Sequence, residues 1–458
     1  MDKTYKKSLY IFRRDLRLED NTALLSALEN SETVLPIFIL NPKLLSPENE
    51  FYNSHSIEFM FNSLRALDAQ LRKKGSKLHL FHGKQLEILK DLITKHSLTA
   101  VYQNRDYTPF ARKRDHVIKE LCSELKIDCN LFHDYLLNPP KQVLKLDSTP
   151  YGVFTPYWKK ASLNDVNPPK ENSYTNYGSI DCENMSLLNE LLSTSNSELL
   201  LQGGRSEALS ILNKEIKELE LYNEQRDIPS LKGTSQLSAH LKFGTISARE
   251  LYYMLQEHLE KPGPIQRQLY WRDFWVYITY HFPKVFKTTY IAKYENLDWQ
   301  FNEKQWNAWC LGTTGFPIVD AGMRELNTTG YMHNRVRMIV ASFLTKDLHI
   351  SYVHGEKYFA QKLLDYDPAL NNGNWQWAAS TGCDGQPYFR IFNPWRQQLR
   401  FDPECSYIKK WIPELESLTP KEIHNYHKKN VYVKDYPYPI VIHEEETPYA
   451  KSMFKSKT

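Results

Sequence analysis

The first 135 residues alternate short apolar runs with amphipathic stretches, and that alternation constrains the fold more than any other feature of this 458-residue chain. Leu9–Phe12, Val34–Leu40, Leu78–Phe81, Ala100–Tyr102 and Ile127–Phe132 have the length and composition of buried strands. Between them, His55–Lys74 carries Ile57, Met60, Phe61, Leu64, Leu67 and Leu71 at helical spacing, and Gln85–His96 is similarly amphipathic. Strands alternating with helices predict βαβ units, that is, an α/β fold with a doubly wound parallel sheet covered on both faces. The first strand runs into RRDLRLEDN with no GxGxxG, so the usual dinucleotide fingerprint is absent.

Residues 136–202 lose this periodicity. NPPKENSYTNYGSI and the STSNS at 193–197 read as a surface connection, long enough to pack across one domain on its way to the next. From Gly203 the pattern is helical nearly to the end, with helices expected at Gly204–Tyr222, Ser247–Leu259, Gly322–Asn327 and Arg335–Leu348. A short tail from Pro437 carries two further prolines, Pro439 and Pro448. The reading divides the chain into an α/β domain at 1–135, a linker at 136–202 and an all-α domain at 203–458.

No window approaches a transmembrane length of apolar residues, and Arg13, Arg14 and Asp15 interrupt the first apolar run; neither a membrane span nor a signal peptide is expected. The six cysteines form no CxxC pair and read as reduced thiols in a cytoplasmic compartment, or a nuclear one in a eukaryote. A net charge of +4 permits nucleic-acid contact without arguing for it. P-loop, HExxH and GxSxG motifs and zinc-like spacings are missing, so no metal site and no hydrolytic nucleophile is expected. Nine of the ten tryptophans follow residue 270, a bias that suits a stacking surface or cofactor wall as well as a helical core.

Three segments of the helical half combine polar, small and aromatic residues. In GTSQLSAHLKFG (233–244), Thr234, Ser235 and Ser238 are N-cap types that serve either an anion site or a plain helix start. In QLYWRDFW (268–275), Gln268, Trp271, Arg272 and Trp275 share a helical face, fit to stack and hydrogen-bond a nucleobase or to line an aromatic core. GYMHNRVRM (330–338) and DYDPALNNGNWQW (365–377) bring arginine, aspartate and several asparagines that are costly to bury unless they hold something polar.

In chain order, RRDLRLEDN, GTSQLSAHLKFG, WRDF, GFPIVDAGMREL, GYMHNRVRM, DYDPALNNGNWQWAASTGCD and PYFRIFNPW closely resemble the photolyase/cryptochrome family, from about residue 7 to about residue 440. Within the family the chain looks most like the class I cyclobutane pyrimidine dimer photolyases. The resemblance implies an N-terminal antenna domain joined by a long linker to a helical FAD domain. Tyr222 and the run Thr234, Ser235, Gln236, Leu237 and Ser238 would hold the FAD phosphates and ribityl chain, with Arg272 nearby. Arg337 and Asp365 would form a charge pair beside the isoalloxazine ring, with Tyr366, Asp367, Gln268 and Asn334 also bordering the cofactor. Asn371 would face flavin N5, where a neutral amide suits the reduced anionic flavin better than a carboxylate.

The activity implied is light-driven repair of UV-damaged DNA: excited FADH⁻ donates an electron to the dimer, the cyclobutane ring opens and the electron returns. Photolyases flip the lesion out of the duplex. Trp271 and Trp377 would wall its pocket, Gln268 would hydrogen-bond the pyrimidines, and Asn334 and Met338 would form the floor. Arg335, Arg390, Arg396 and Arg400 are the expected phosphate contacts at the rim, and a monomer is expected. The implied photoreduction relay joins Trp375 to Trp299, but its middle position holds Tyr352, which makes Trp309 or Tyr331 a candidate bypass.

Three other readings compete. A 6-4 photolyase is favoured by Gln268, since cyclobutane dimer enzymes usually carry Glu there, but the two histidines that 6-4 repair uses are replaced by Asn334 and Met338. A cryptochrome photosensor commonly carries a long C-terminal extension, whereas this chain ends soon after Tyr438-Pro439. An ordinary flavin oxidoreductase leaves Trp271 and Trp377 unexplained. NRDYTPFARKRD (104–115) matches the family's antenna domain without the acidic residue of folate binders, leaving methenyltetrahydrofolate, a deazaflavin or an empty cleft open.

Overall fold

Leu9, Tyr10, Ile11 and Phe12 are each at most 1% exposed, which is possible only if both faces of their strand are covered. Leu9 and Ile11 point to one face, with Leu35, Ile37, Leu89, Leu92 and Ile118. Tyr10 and Phe12 point to the other, with Val34, Phe59, Leu64 and Leu67. The structure, a computed structural model, describes residues 3–181, 200–231, 233–385, 390–429 and 431–456. The STSNS at 193–197 and positions 387–389 of PYFRIFNPW lie outside the described residues.

Strands β1 (Tyr5–Phe12), β2 (Ser31–Leu40), β3 (His79–His82), β4 (Ala100–Asn104) and β5 (Asp128–Phe132) pair in the order β3-β2-β1-β4-β5, all parallel. Helices α1 (Thr22–Asn30), α2 (Ser54–Lys73), α3 (Gln85–Lys95) and α4 (Pro109–Glu124) cross between them. This is the α/β, doubly wound sheet expected from the sequence. The strand order reverses between β1 and β4, so the turns leaving these two strands border the crevice where ligands of open α/β sheets bind.

After β5 the chain forms α5 (Phe154–Ala161) and then returns across the α/β layer. Asn172 Nδ2 donates to the Leu18 carbonyl at 2.9 Å and Asn176 Nδ2 to the Ser31 carbonyl at 2.7 Å. The connection therefore packs on the first domain, as its length predicted.

The remainder is helical: α6 (Arg205–Glu215), α7 (Ser238–Phe243), α8 (Ala248–His258), α9 (Gly263–His281), α10 (Glu303–Leu311), α11 (Pro317–Thr329), α12 (Asn334–Lys346), α13 (Tyr352–Lys362), α14 (Pro368–Ala378), α15 (Pro394–Phe401) and α16 (His443–Lys455). α9 is buried at every position from Arg272 to Thr279, more than two full turns and so its whole circumference, and it forms the axis of this half. Ser247 caps α8 in a reciprocal box with Glu250.

Two expectations need correction. The helix read over Gly204–Tyr222 stops at Glu215 and continues as a 3-10 turn, Glu218–Leu221, then a short turn, Tyr222–Gln225. Ile216 and Leu219 are both buried, three residues apart, which is the 3-10 period. The proline-bearing tail is largely α16, with Pro448 inside it. Met453 and Phe454 pack on Leu297, and that tertiary contact outweighs the backbone bond the proline removes.

The turn after β1 fastens the two halves together. Leu16 N–H donates to the Phe243 carbonyl at 3.0 Å. Arg17 meets Asp134 at 2.6 Å, and Arg249 of α8 bridges Asp20 at 3.0 Å and Asp134 at 2.8 Å. All four side chains are nearly or fully buried, and each charge is paired.

Candidate functional site

The Tyr222–Gln225 turn lies against the loop entering α7, where a Cβ on Gly233 would stand 2.6 Å from Gln225 Cβ. This contact brings Tyr222 beside the run Thr234 to Ser238. Gln236 adopts the left-handed backbone region (φ 52°), a strained choice for a residue with a side chain. α7 begins after Leu237 without a side-chain cap, so the expected helix-capping role of Thr234, Ser235 and Ser238 is not realised. Thr234 contacts the Tyr331 phenol, while the Ser235 and Ser238 hydroxyls have no hydrogen-bond partner among the described residues.

Across from this loop, Arg337 grips Asp365 with two hydrogen bonds, 2.9 and 3.2 Å, and donates its Nε to the Met332 carbonyl at 2.7 Å. Burial opposes the guanidinium charge, yet Asp365 holds it above its ordinary value. Asn371, 8% exposed on α14, donates its amide nitrogen to the Glu356 carbonyl at 2.9 Å. Its oxygen accepts nothing from the described residues and is left for a donor. Glu356 is pushed up to about 7 by burial, while the Asn372 amide on it pulls the other way. Unpaired hydroxyls, a fixed charge pair and one free amide oxygen fit the phosphates, ribityl chain and ring of a flavin dinucleotide.

Two residues expected at the cofactor are spent elsewhere. Arg272 donates to the carbonyls of Tyr135 at 2.7 Å and Leu241 at 3.4 Å, and its guanidinium lies 3.5 Å over the Tyr135 ring. The Asp367 carboxylate caps α14 through Ala369 N–H and Leu370 N–H and receives Arg14 and the Tyr135 hydroxyl. Burial would raise it, but Arg14 brings it down to about 2. Both buried charges satisfy themselves across the join between the two halves, where sequence gives no sign of a partner. Tyr366 packs against the α10–α14 core.

Trp271 on α9 and Trp377 on α14 are both half-buried at the edge of one cluster, on helices in direct contact. Phe154 of α5 stacks on Trp271 at 3.6 Å and 8°, fixing its plane, and no ring contact among the described residues joins Trp271 to Trp377. The role of Phe154 had no signal in the sequence, because it sits in the aperiodic connection. Gln268 turns its amide nitrogen back to the Pro264 carbonyl at 3.3 Å, and its oxygen accepts nothing among the described residues. Asn334, exposed at the start of α12, contacts Met338 Sδ one turn later at 3.8 Å. His333 beside them caps α12 through Nδ1, and burial lowers it to about 4.

The rim arginines divide. Arg335 is tied to Asp227 at 2.7 Å and lies 4.4 Å over the Phe401 ring, so it is less available than expected. Arg390, Arg396 and Arg400 are exposed and make no ion pair among the described residues. Arg396 and Trp395 of α15 line a surface groove with Lys421 and His424. In the implied relay, Trp299 touches Tyr352 with ring centroids 6.5 Å apart, but the ring contacts of Trp375 are to Trp309 and Phe359.

The turns RRD after β1 and NRD after β4 meet at the sheet's reversal point in a crevice closed by Asp134 and Tyr135. Arg13 pairs with Asp115, and Arg14 lies 4.2 Å over the Tyr135 ring.

The family model described as DNA photolyase matches residues 8–173, and the FAD binding domain of DNA photolyase matches residues 265–456. The chain is 37% identical to the deoxyribodipyrimidine photo-lyase of Alkalihalophilus pseudofirmus, over 97% of each. It superposes with a TM-score of 0.90 on an archaeal photolyase from Sulfolobus tokodaii solved with two FAD molecules, at 42% identity over 98% of this chain and 100% of that one. A bacterial class III photolyase from Agrobacterium tumefaciens matches with a TM-score of 0.90, at 33% identity over 100% of this chain and 98% of that one.

Proposed function

The chain belongs to the DNA photolyase family, binds FAD, and we propose on that premise that it is a class I enzyme repairing cyclobutane pyrimidine dimers in UV-damaged DNA with light. The observation that carries the lesion assignment is the pair Asn334 and Met338 at the start of α12, where an amide and a thioether stand side by side. Neither can shuttle a proton near neutral pH, which 6-4 repair requires and cyclobutane ring opening does not. Gln268 favours the 6-4 reading, but an amide can only hydrogen-bond pyrimidine carbonyls, and two missing proton carriers outweigh it.

FAD supplies, when reduced and bound, the light-driven electron that opens the ring. The protein holds and screens the reactants. Tyr222, Thr234, Ser235 and Ser238 would bind the phosphates and ribityl chain. Arg337, kept in plane by Asp365 and the Met332 carbonyl, would offset negative charge at the ring. Asn371, its nitrogen pinned by the Glu356 carbonyl, would offer its oxygen as an acceptor to N5–H. Trp271 and Trp377 would stack on the flipped dimer, with Phe154 holding Trp271 ready. Arg390, Arg396 and Arg400 would contact phosphates. Among the described residues no helix is long and apolar enough to cross a membrane.

The test uses holoenzyme with chemically reduced flavin, kept anaerobic, in blue light with a dark control. Oligonucleotides carry either one cyclobutane thymine dimer or one 6-4 photoproduct. Light-dependent loss of the cyclobutane lesion alone is expected. Loss of the 6-4 lesion alone would overturn the argument from Asn334 and Met338. Loss of neither, with reduced flavin bound, would make the chain a photosensor.

A further inference from the structure

Trp375 of α14 is 2% exposed and touches Trp309, with ring centroids 6.2 Å apart at 69°. Trp309 is fully buried on α10 and stacks on Trp306 of the same helix at 5.4 Å and 22°. Trp306 and Trp309 are three residues apart and so share one helical face. Trp306 is half-buried, beside His354 and the exposed Phe301. Three indoles therefore run in unbroken ring contact from the helix that carries Asn371 to the surface.

The route through Tyr352 is interrupted by comparison. Tyr352 touches Trp299 edge-on, and its hydroxyl has no hydrogen-bond partner among the described residues. Burial, with Glu356 and Glu295 nearby, keeps its phenol protonated. A tyrosine that loses an electron must also lose its proton to hold the charge, and among the described residues no base, Glu356 and Glu295 included, is hydrogen-bonded to this hydroxyl to take it. Trp309 meets the opposite conditions. Its Nε1–H donates to the Val340 carbonyl at 3.1 Å, an acceptor too weakly basic to remove the proton, so an oxidised Trp309 stays a protonated and mobile cation. Phe359 fills the angle between Trp375 and Trp309 but, as a simple phenyl ring, is not oxidised under these conditions.

We propose that Trp375, Trp309 and Trp306 form the principal photoreduction relay of this protein, with Trp306 as its exit in place of Trp299. One electron leaves Trp375 for the light-excited oxidised flavin. Trp309 refills Trp375 and Trp306 refills Trp309, each step moving one electron inward and the positive charge outward. At the surface the Trp306 cation is solvated and releases its indole proton to water. A thiol in solution then returns one electron and one proton to Trp306 and becomes a thiyl radical. The net change is one electron from thiol to flavin.

This inference rests on FAD occupying the site and not on which lesion is repaired, so it is tested without DNA. Holoenzyme with oxidised FAD is illuminated with blue light in the presence of dithiothreitol, and flavin reduction is followed spectroscopically. Trp306→Phe is expected to slow photoreduction by about tenfold, and Trp299→Phe to leave it within about twofold of the parent. Circular dichroism of the same samples supplies a geometric readout: the exciton signal of the stacked Trp306–Trp309 pair should vanish in Trp306→Phe and persist in Trp299→Phe. Flash spectroscopy should likewise lose its long-lived neutral tryptophan radical only in Trp306→Phe. A tenfold loss in Trp299→Phe, with or without one in Trp306→Phe, would overturn the proposal, as would an unchanged rate in Trp306→Phe.

Discussion

Asp273 is the carboxylate least reconciled with its surroundings. It is fully buried; Oδ2 accepts the Asn138 N–H at 2.9 Å, while Oδ1 lacks a hydrogen bond and lies 3.7 Å from Arg272. Burial pushes it up to about 7, with Arg272 pulling the other way. In the unfolded chain the same carboxyl ionises near 3.8. Across that interval the folded protein keeps a proton that the unfolded chain has released. Its contribution to stability is therefore fully present below the lower value and is lost as pH rises through the upper one, by up to about 4 kcal/mol. Asp273→Asn keeps an acceptor for Asn138 and has nothing to ionise. Its Tm, measured against the parent, is expected to gain steadily from about pH 4 to about pH 7 and then hold; a difference constant with pH would show that Asp273 ionises normally. The neighbouring Arg272 shows what sequence leaves unread at this scale. The family resemblance put it and Asp367 beside the cofactor, yet both charges are engaged by Tyr135 and Arg14 from beyond the helical half. A pairing between residues more than a hundred positions apart leaves no local pattern. Arg337 and Asp365 were legible because they lie in two adjoining motifs.

Helices α13 and α14 approach each other at Gly355, where a Cβ would stand 2.1 Å from Trp375 Cη2 and 2.7 Å from Leu344 Cδ2. Alanine has the better helix propensity, by about 1 kcal/mol. An aromatic ring and a leucine cannot both withdraw from a packed core, and such overpacking costs about 1–3 kcal/mol or more. The clash wins the contest. Gly355→Ala is expected to lower the denaturation midpoint and, by displacing Trp375, to slow flavin photoreduction; an unchanged midpoint would show that the two helices separate freely. At this scale burial decided what was legible. All five strands and the helices α2 and α3 were readable because their apolar residues recur at a period that a packed element must keep. α6 was overextended because the run KEIKELE fits α and 3-10 spacing alike, and α16 was missed because Pro448 signals a break that Met453 and Phe454 override through Leu297.

For the whole molecule, two sets of arginines do different work. Arg14, half-buried, and Arg17 and Arg249, buried, lie between the α/β layer and the helices, locked to Asp367, Asp134 and Asp20. They join the halves and are not open to DNA. RRDLRLED was thus legible as a family motif, while its use as the clamp between domains depended on partners in α8 and α14. The remaining rim charges set the electrostatics of binding, since a net charge of +4 spread over the chain gives little general attraction. Arg396 is exposed and without a carboxylate partner among the described residues, whereas Arg335 is held by Asp227 at 2.7 Å. Each phosphate neutralised by a free cation releases about one counterion, so log K falls with log salt by about 0.9 per contact. Arg335 must first give up Asp227, which then stands unpaired near the DNA and repels it. Arg396→Ala is therefore expected to weaken binding and flatten the salt slope by about 1, and Arg335→Ala to flatten it by less. Binding of a dimer-containing duplex, followed by fluorescence anisotropy from about 50 to about 200 mM salt, measures both. An unchanged slope in Arg396→Ala would put α15 outside the DNA footprint, and an equal change in the two variants would mean that Asp227 swings clear when DNA arrives.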